Sequence, residues 1–505
     1  MALNDVTFVK GQGGLGRPLE GEDHISGIVF YTNTYPSGFN SSNQVKVVYS
    51  LDDTEALGIK LDYSDETPAT ATYEVTNAGT SGNTVKISVV ENAATVVIAS
   101  YTVGSSDTTV ALLATSIAAA INAGNTGYSA TVGTGDDNAT ITITARPGLG
   151  IFLNTGTPVV VTIVGGVAGT LTQFTGGVAS FRAIMWYHIS EYFRIQTKGV
   201  LYIGVFPVPG SYTFSEVTTV QNFSVGIIRE LAVYTTVDFA TSQLTALQTI
   251  AASLSTNHTP LSILFGANIP NTTALSALTD LGTLTASYVS LIIGQDGNNL
   301  GNQLYVCGGK SVTCLGAALG AVSRATVSEN IGWVKNFNMA DTELDVIGFA
   351  NGQLYRNVAT NLLDTLNSHH YIFLRKHIGI TGSYFNDSYT AIAATSDYCT
   401  IENNRTIDKA IRNIRTFIIP ELNGPLYVDP VSGQLSEDTI AYFTSLTSNP
   451  LEQMQRDGDL SGFGVTIDPT QNVLSSSQLS ITVQLIPVGV ARQIVINIGF
   501  TVKLS

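Results

Sequence analysis

The amino-acid sequence predicts a protein of several domains in which α/β and α+β architectures are combined. Strand and helix patterns alternate in the middle of its 505 residues, and a Thr- and Gly-rich stretch from about residue 66 to 180 has a composition of its own. The chain ends in two long runs that alternate apolar and polar side chains. A chain of this length can bury more than one hydrophobic core, and length alone suggests about two to four domains.

The middle of the chain is predicted to form a sheet flanked by helices. Buried strands are indicated at Ile227–Tyr234, Leu261–Phe265 and Tyr288–Ile293. Between the first two strands, apolar residues recur at helical spacing at Leu244, Leu247, Ile250 and Leu254. Further helices are predicted around residues 275–281, 311–325 and 357–366. We assign residues 21–65 and 181–365 to this α/β region.

Residues 66–180 are predicted to form a small α+β domain inserted into that region. The stretch carries six acidic side chains but only two basic ones, Lys86 and Arg146. Its strands are predicted at Tyr73–Val75, Thr84–Val90, Thr95–Tyr101, Tyr128–Val132 and Ala139–Ala145. A helix with Leu113 and Ile117 in its buried stripe follows the third strand, and Asp107 is expected to cap that helix. An insertion with a core of its own is best placed on the surface of its host domain.

The final run of the chain is predicted to be a strand that pairs outside its own subunit. Its apolar residues occupy every second position, which is the period of a strand with one buried face: Ile494, Ile496, Ile498, Phe500 and Val502. Leu479–Ile486 is its predicted hairpin partner, with Pro487 and Gly489 in the turn. Because an unpaired terminal strand exposes backbone hydrogen-bonding groups, we expect residues 491–505 to be donated to another chain.

A helix is predicted from about Thr406 to Ile419, ending at Pro420. Four isoleucines share one face, at positions 407, 411, 414 and 418. Basic residues lie on the opposite side or its flank: Arg405, Lys409, Arg412 and Arg415. Two interpretations remain open, a solvated outer face of a core helix, which we favour, and a surface that meets an acidic partner.

Composition excludes several classes of function. The formal net charge of −15 at pH 7 argues against general nucleic-acid binding, because phosphate contacts need a basic surface. The N-terminal residues lack the pattern of a signal peptide, and no apolar run is long enough to span a membrane, so we expect a cytoplasmic product. Three cysteines without a paired CxxC motif indicate neither a disulfide framework nor a zinc site.

Motifs that could indicate catalysis or cofactor binding are weak. Gly11, Gly13 and Gly16 spell GxGxxG, but loop residues follow where a dinucleotide-binding helix should begin. Gly309-Lys310-Ser311 resembles the end of a phosphate-binding loop that lacks its first glycine. His369, His370 and His377 have no carboxylate at a matching spacing. The sequence therefore predicts no catalytic, metal or cofactor site and favours a protein that is not an enzyme.

The C-terminal third resembles the contractile phage tail sheath proteins, in particular a divergent branch found in phages and prophage-like elements. The resemblance covers roughly residues 370–505. It lies in the order of five motifs: GITGSYFN at 379–386, SDYC at 396–399, IENNRTIDKAIRNIR at 401–415, PELNGPLYVD at 420–429 and IPVGVARQIVINIGF at 486–500. The stretch at 66–180 departs from the minimal plan of such proteins, in which variable outer insertions are common.

The resemblance implies a sheath-like α/β core with strand-donating termini. It implies a structural subunit that polymerises as helically stacked sixfold rings around an inner tube and contracts to drive the tube through the host envelope. Residues 1–20 would be a linking arm, and residues 366–505 an inner domain that ends in the linking strand. The basic residues at 405, 409, 412 and 415 would be candidates for the tube-facing surface.

The implied partners are other copies of the chain, the inner tail tube protein, and baseplate and tail terminator proteins. Neither a cofactor, direct nucleic-acid binding nor membrane insertion is implied. The expected location is the virion tail, after assembly in the bacterial host cytoplasm. Two alternatives remain, an array-forming or adhesin-like surface protein and, less favoured, an α/β enzyme.

Overall fold

The computed structural model of the protein describes residues 21–91 and 94–500. It confirms the predicted combination of α/β and α+β architecture, with a central six-stranded sheet and several smaller sheets. Within the described residues, no helix is long and apolar enough to cross a membrane.

The central six-stranded sheet, called here the main sheet, is mostly parallel. Its strands are, in spatial order, Val289–Leu291, Ser262–Asn268, Glu230–Asp238, Ile25–Tyr31, Val200–Phe206 and Val45–Val48. All neighbours are parallel except the last pair, which is antiparallel. Every residue of Ile25–Tyr31 and of Ser262–Asn268 is buried, as expected of parallel strands that are covered on both faces.

Helices cover both faces of the main sheet. Phe181–Ile195 and Leu315–Arg324 pack on one face, and Glu216–Phe223 and Thr241–Thr256 pack on the other. The first two helices approach so closely that a Cβ atom at Gly316 would collide with the carbonyl oxygen of His188. Glycine therefore permits this contact, which brings the two helices together over the sheet.

Short elements complete the part of the chain that is built around the main sheet, called here the body. The remaining α-helices of the body are Leu51–Ala56, Leu300–Gly308 and Thr360–Ser368. Two-residue and three-residue strands pair as Thr285–Ala286 with Ala391–Ile392, Gly294–Asp296 with Ile347–Phe349, and Leu374–Arg375 with Tyr384–Phe385. The helix predicted around residues 275–281 is wrong: two 3₁₀ turns, Leu275–Ala277 and Leu281–Thr283, occupy this stretch. The leucines three residues apart fit the three-residue period of 3₁₀ structure.

Residues 69–174 form a module with a separate hydrophobic core. One antiparallel sheet has the order Ser129–Val132, Thr140–Thr144, Thr70–Ala78 and Val167–Thr175, and the other has the order Ala94–Thr102, Thr84–Glu91 and Val159–Val164. The helix Val110–Ala123 packs on them. The last two strands of the module, at 159–164 and 167–175, were not anticipated from the sequence.

The two ends of this module leave the body side by side. A bridge joins Thr67 to Val178, and the Asp65 carboxylate accepts hydrogen bonds from the Ser180 hydroxyl and the Phe181 amide.

The predicted cap of the helix Val110–Ala123 is wrong. Thr109 caps the helix, whereas Asp107 accepts bonds from the Tyr101 hydroxyl, the Gly104 amide and the Ser116 hydroxyl.

The C-terminal region consists of two long helices and a hairpin. The α-helices are Ile401–Ile418, Glu437–Arg456 and the short Val473–Ser476, and a 3₁₀ turn spans Ile419–Glu421. The hairpin pairs Leu460–Thr466 with Thr482–Pro487, antiparallel. The predicted hairpin between Leu479–Ile486 and the final run is therefore wrong for the described residues: Phe463 and Val465 lie opposite Leu485 and Val483, and residues 488–500 pair with no strand.

Candidate assembly site

The C-terminal segment, residues 488–500, lies outside every sheet of the described structure. Its alternating apolar side chains are exposed, from 77% for Ile494 and 79% for Ile496 to 94% for Ile498, and Phe500 is fully exposed. Val502, the last member of the predicted series, lies outside the described residues. Exposed apolar side chains in sequence with strand periodicity are what a strand awaiting a partner presents.

The hairpin Leu460–Thr466/Thr482–Pro487 has two open edges. Its sheet contains only these two strands within the described part of the chain. Val483 and Leu485 pack against the cluster of Ala410 and Leu451 on the two long helices, so one face is covered. An edge strand with unpaired amide and carbonyl groups can accept an added strand from another chain.

A buried acidic pair holds the start of the C-terminal segment. The Arg492 guanidinium donates to both carboxylate oxygens of Asp387, at 2.7 and 3.1 Å, and to Glu402 at 3.1 Å. It also lies 5.8 Å from the centre of the Tyr389 ring. The two carboxylates are almost completely buried, with 8% and 3% of their side chains exposed. Charge-assisted, bidentate hydrogen bonds of this kind are stronger than neutral ones, and they also fix the orientation of the guanidinium.

Neutral donors complete the surroundings of the acidic pair. The Asn330 amide group donates to Asp387 at 2.6 Å and to Glu402 at 3.0 Å, and the Ser388 hydroxyl donates to Glu402. Burial raises the pKa of Glu402, and hydrogen bonding from Ser388 partly opposes that effect. Burial disfavours the charge on Arg492, but its contacts with Asp387 and Glu402 outweigh this and raise its pKa above the ordinary value.

The basic residues of helix Ile401–Ile418 do not form an open face. Arg405 is 4% exposed, lies 3.8 Å from the buried Glu230, and donates to the carbonyl oxygens of Ala325, Thr326 and Asp23. The interpretation of a solvated stripe is wrong for this residue. The helix also begins five residues earlier than predicted, and its first half buries mainly polar residues rather than isoleucines.

Lys409 and Arg412 bind the stretch that enters the first strand of the main sheet. Lys409 pairs with Asp23 at 2.7 Å and with Asp459 at 2.8 Å, and Arg412 pairs with Asp23 at 2.8 Å. Burial opposes the charge on Lys409, but its two aspartates raise its pKa. Burial, assisted by Arg229, lowers the pKa of Arg412 to about 10. Among the four predicted basic residues, only Arg415 is exposed.

The residues of the weak catalytic motifs have packing roles where they are described. Gly309 ends a helix in the left-handed conformation, and the buried Ser311 hydroxyl donates to the carbonyl oxygen of Ala350 at 2.6 Å. His370 is stacked on Tyr389. Gly11, Gly13 and Gly16 lie outside the described residues. Within residues 21–91 and 94–500, no cluster of three or more His, Cys, Asp or Glu is arranged to hold a metal ion.

Sequence reasoning missed Arg492 and its acidic partners. The available signal was a single arginine directly before an otherwise uncharged alternating run, at 493–500. Its partners lie about 90 and 105 residues earlier, so no local pattern connects them.

Two family models match nearly the whole chain. The model described as DUF2586, N-terminal domain, matches residues 3–389, and the model described as DUF2586, C-terminal domain, matches residues 397–505. The second match begins just before helix Ile401–Ile418. A comparison with curated proteins finds no match.

The chain is similar to several solved sheath structures. The contracted helical sheath of the anti-feeding prophage is 16% identical, with a TM-score of 0.43 over 62% of this chain and 81% of that chain. The contracted sheath complex of an extracellular contractile injection system, PVC, is 14% identical, with a TM-score of 0.41 over 63% and 80%. The sheath tail protein of Desulfitobacterium hafniense is 11% identical, with a TM-score of 0.36 over 96% and 100%.

Proposed function

The chain belongs to the DUF2586 family, and we propose that it is the sheath subunit of a contractile tail or a related contractile injection system. In this proposal its copies join by strand exchange into helically stacked rings around an inner tube. The observation that carries the proposal is the C-terminal segment 488–500, which presents exposed apolar residues at strand spacing and follows, in the sequence, a hairpin whose described sheet has two open edges. The order of the sheath-like motifs between residues 379 and 500 supports it.

Strand exchange explains how one chain could build an open lattice. A strand donated from one copy to an open edge of the next is a heterologous contact, and heterologous contacts propagate as rings or helices. A donated strand satisfies the unpaired backbone groups of the acceptor edge and buries the apolar side chains of the donor. We propose Leu460–Thr466/Thr482–Pro487 as the acceptor, sixfold rings as the repeat, and residues 1–20 as a second arm.

The proposal also includes the division of the chain. Residues 21–65 and 181–365 form the middle region, residues 66–180 form an outward insertion, and residues 366–505 form the inner domain. Of the four basic residues predicted to face the tube, we retain Arg415, because Arg405, Lys409 and Arg412 bind acidic or carbonyl groups of their own chain. The remaining partners are the tube protein, the baseplate and the tail terminator.

Contraction in this proposal is a switch between two packings of nearly rigid subunits while the strand linkers stay intact. The extended lattice would be metastable, and the baseplate would bias the first ring towards the contracted packing. The role is mechanical, in the tail of the particle, and uses neither a nucleotide nor a catalytic residue.

Two matched substitutions test strand donation. Ile496→Asn places a polar group on the side of the strand that we expect to be buried in the acceptor, and Val495→Asn makes a comparable change on the opposite side. Both side chains are exposed in the chain by itself, at 79% and 71%. Sedimentation over a concentration series should show assemblies for the wild type and for Val495→Asn, and their loss for Ile496→Asn. Equal assembly by the two variants would contradict the proposal.

A further inference from the structure

The start of the C-terminal segment is fixed far more firmly than the residues that follow it. Arg492 has 40% of its side chain exposed and bonds two nearly buried carboxylates, whereas residues 493–500 are exposed throughout. Arg492 and Asp387 line a cleft of about 590 Å³ together with Asn330, Trp333 and Val490, among others. At Arg492 the chain therefore changes from a residue bound to its own subunit to an apolar segment that pairs with no strand in the described structure.

The charges around Arg492 indicate that the contact is specific. Asp387 and Glu402 both accept hydrogen bonds from the side-chain amide of Asn330, which is neutral. Arg492 also donates to both carboxylates, and its guanidinium brings the positive charge that offsets theirs. Without a cation, two neighbouring carboxylates would be buried against each other at a high cost in free energy. The planar guanidinium suits this geometry because it donates to both acids while lying near the Tyr389 ring.

The same helix also holds the other end of the described chain. Glu402 lies in the first turn of Ile401–Ile418, and Lys409 and Arg412 lie about 10 and 15 Å further along its axis. These two basic residues form ion pairs with Asp23, which lies two residues before the first strand of the main sheet. The helix is therefore bonded both to the entry into the main sheet and to the start of the C-terminal segment.

We infer that Asp387, Glu402 and Tyr389 form a guanidinium-binding socket for Arg492, and that this socket positions the strand 493–500 for donation to a neighbouring copy. The positioning role rests on the proposed function, while occupancy of the socket does not. An anchored root limits the directions in which the donor strand can leave, which lowers the conformational entropy lost when that strand is ordered on a neighbour. Arg492 is thus a positioning residue rather than part of the exchanged strand.

Trypsin cleaves the chain after arginine, so the rate of cleavage after Arg492 reports how firmly the socket holds this residue. The experiment compares Asp387→Asn/Glu402→Gln with the unmodified socket, both in the Ile496→Asn background so that assembly does not mask the site. Opening the socket should speed release of the peptide beginning at Gln493 by about tenfold or more, as expected when charged hydrogen bonds are lost. Cleavage after the exposed Arg456 provides the internal reference, and Asp397→Asn/Glu437→Gln controls for the removal of two exposed carboxylates.

Release at an unchanged rate relative to Arg456 would overturn the socket. If the double variant does not fold, Asp387→Asn alone keeps Glu402 and removes the negative charge from the shorter contact, so it serves the same comparison. Near-ultraviolet circular dichroism identifies which variants keep the native packing.

Assembly of the full chain tests the positioning role separately. Arg492→Gln should raise the concentration needed for assembly by about tenfold, with partial rescue by Arg492→Lys, which keeps the charge without the planar fork. Arg375→Gln removes an exposed charge from the same cleft and should assemble like the wild type. Normal assembly by Arg492→Gln would overturn the positioning role. Failure of the wild type to assemble would remove the positioning role with the proposed function, and the trypsin result would still decide the socket.

Discussion

The main sheet and the C-terminal region are built on different physical principles. The main sheet is held by apolar burial: its central strands are covered by helices on both faces and have hardly any exposed side chain. The C-terminal region is held at its base by charges, since helix Ile401–Ile418 buries Glu402, Arg405 and Asp408. Its apolar residues at 494–500 are left exposed. Within the described residues, the apolar side chains of the main sheet are therefore covered by their own chain, whereas those at 494–500 are not.

Removing apolar volume from the main sheet should have the largest effect on stability. Phe265 is fully buried and packs edge-on against Phe214, with ring centres 5.7 Å apart. Phe265→Ala should lower the free energy of unfolding by about 3–5 kcal/mol, because the cavity adds to the loss of burial. Urea unfolding followed by tryptophan fluorescence measures the change. A loss of under about 1 kcal/mol would contradict the account of the main sheet as the stable core.

Breaking the buried ion pair at the base of the C-terminal region should have a nearly equal effect. Arg405→Met leaves Glu230 buried without its cation and should cost about 3–5 kcal/mol. The double variant Arg405→Met/Glu230→Gln should recover part of this loss, because it removes the uncompensated charge. A double-mutant cycle by urea unfolding gives the coupling energy. Additive losses would show that the two side chains do not interact.

The pH dependence of stability offers a smaller, signed test of the same region. Burial raises the pKa of Asp408 from 3.8 to about 7, with Arg412 and Arg229 opposing that effect. Since the folded state then holds the proton more tightly than the unfolded state, the contribution of this group is present below pH 4 and falls as the pH rises to 7. Asp408→Asn should therefore match the wild type near pH 4 and be more stable by about 2–4 kcal/mol near pH 8.

Urea unfolding at the two pH values measures this difference, and Asp438→Asn, which changes an exposed carboxylate, is the control. An equal pH dependence of the wild type and Asp408→Asn would show that Asp408 ionises as readily in the folded chain as in the unfolded one.

Truncating an exposed residue of the C-terminal segment should have the smallest effect on the stability of a single chain. Phe500→Ala removes a ring of the same size as Phe265→Ala, but from a fully exposed position. Its unfolding free energy should stay within about 0.5 kcal/mol of the wild type. A loss comparable to that of Phe265→Ala would place the segment in a core of its own subunit and contradict the comparison drawn between the two regions.

Local sequence patterns predicted the parts of the fold that depend on apolar burial. Leu261–Phe265 was recognisable as a strand because it is almost wholly apolar, and the structure places a strand at Ser262–Asn268. Leu460–Thr466 was missed because Gly462 and Gly464 interrupt its apolar pattern. The buried face of helix Ile401–Ile418 was misassigned because its polar residues are paired with groups from distant parts of the chain.

For the same reason, only part of the candidate site could be predicted from the sequence. The alternating run from Ile494 onward was visible in the sequence, since strand periodicity is local. The binding of Arg492 by Asp387 and Glu402 depends on the folded chain bringing together residues about 100 positions apart. Charge pairing over such separations has no periodicity in sequence.

The most direct test of the central claim is electron microscopy of the purified chain with and without residues 493–505, a truncation that keeps Arg492 on Asp387 and Glu402, over a concentration series. The account predicts hollow cylinders or stacked rings for the full chain, and folded single subunits for the truncated one, because removal of the donor strand leaves the main sheet intact. Cylinders formed equally well by the truncated chain would contradict strand donation by the C-terminal segment.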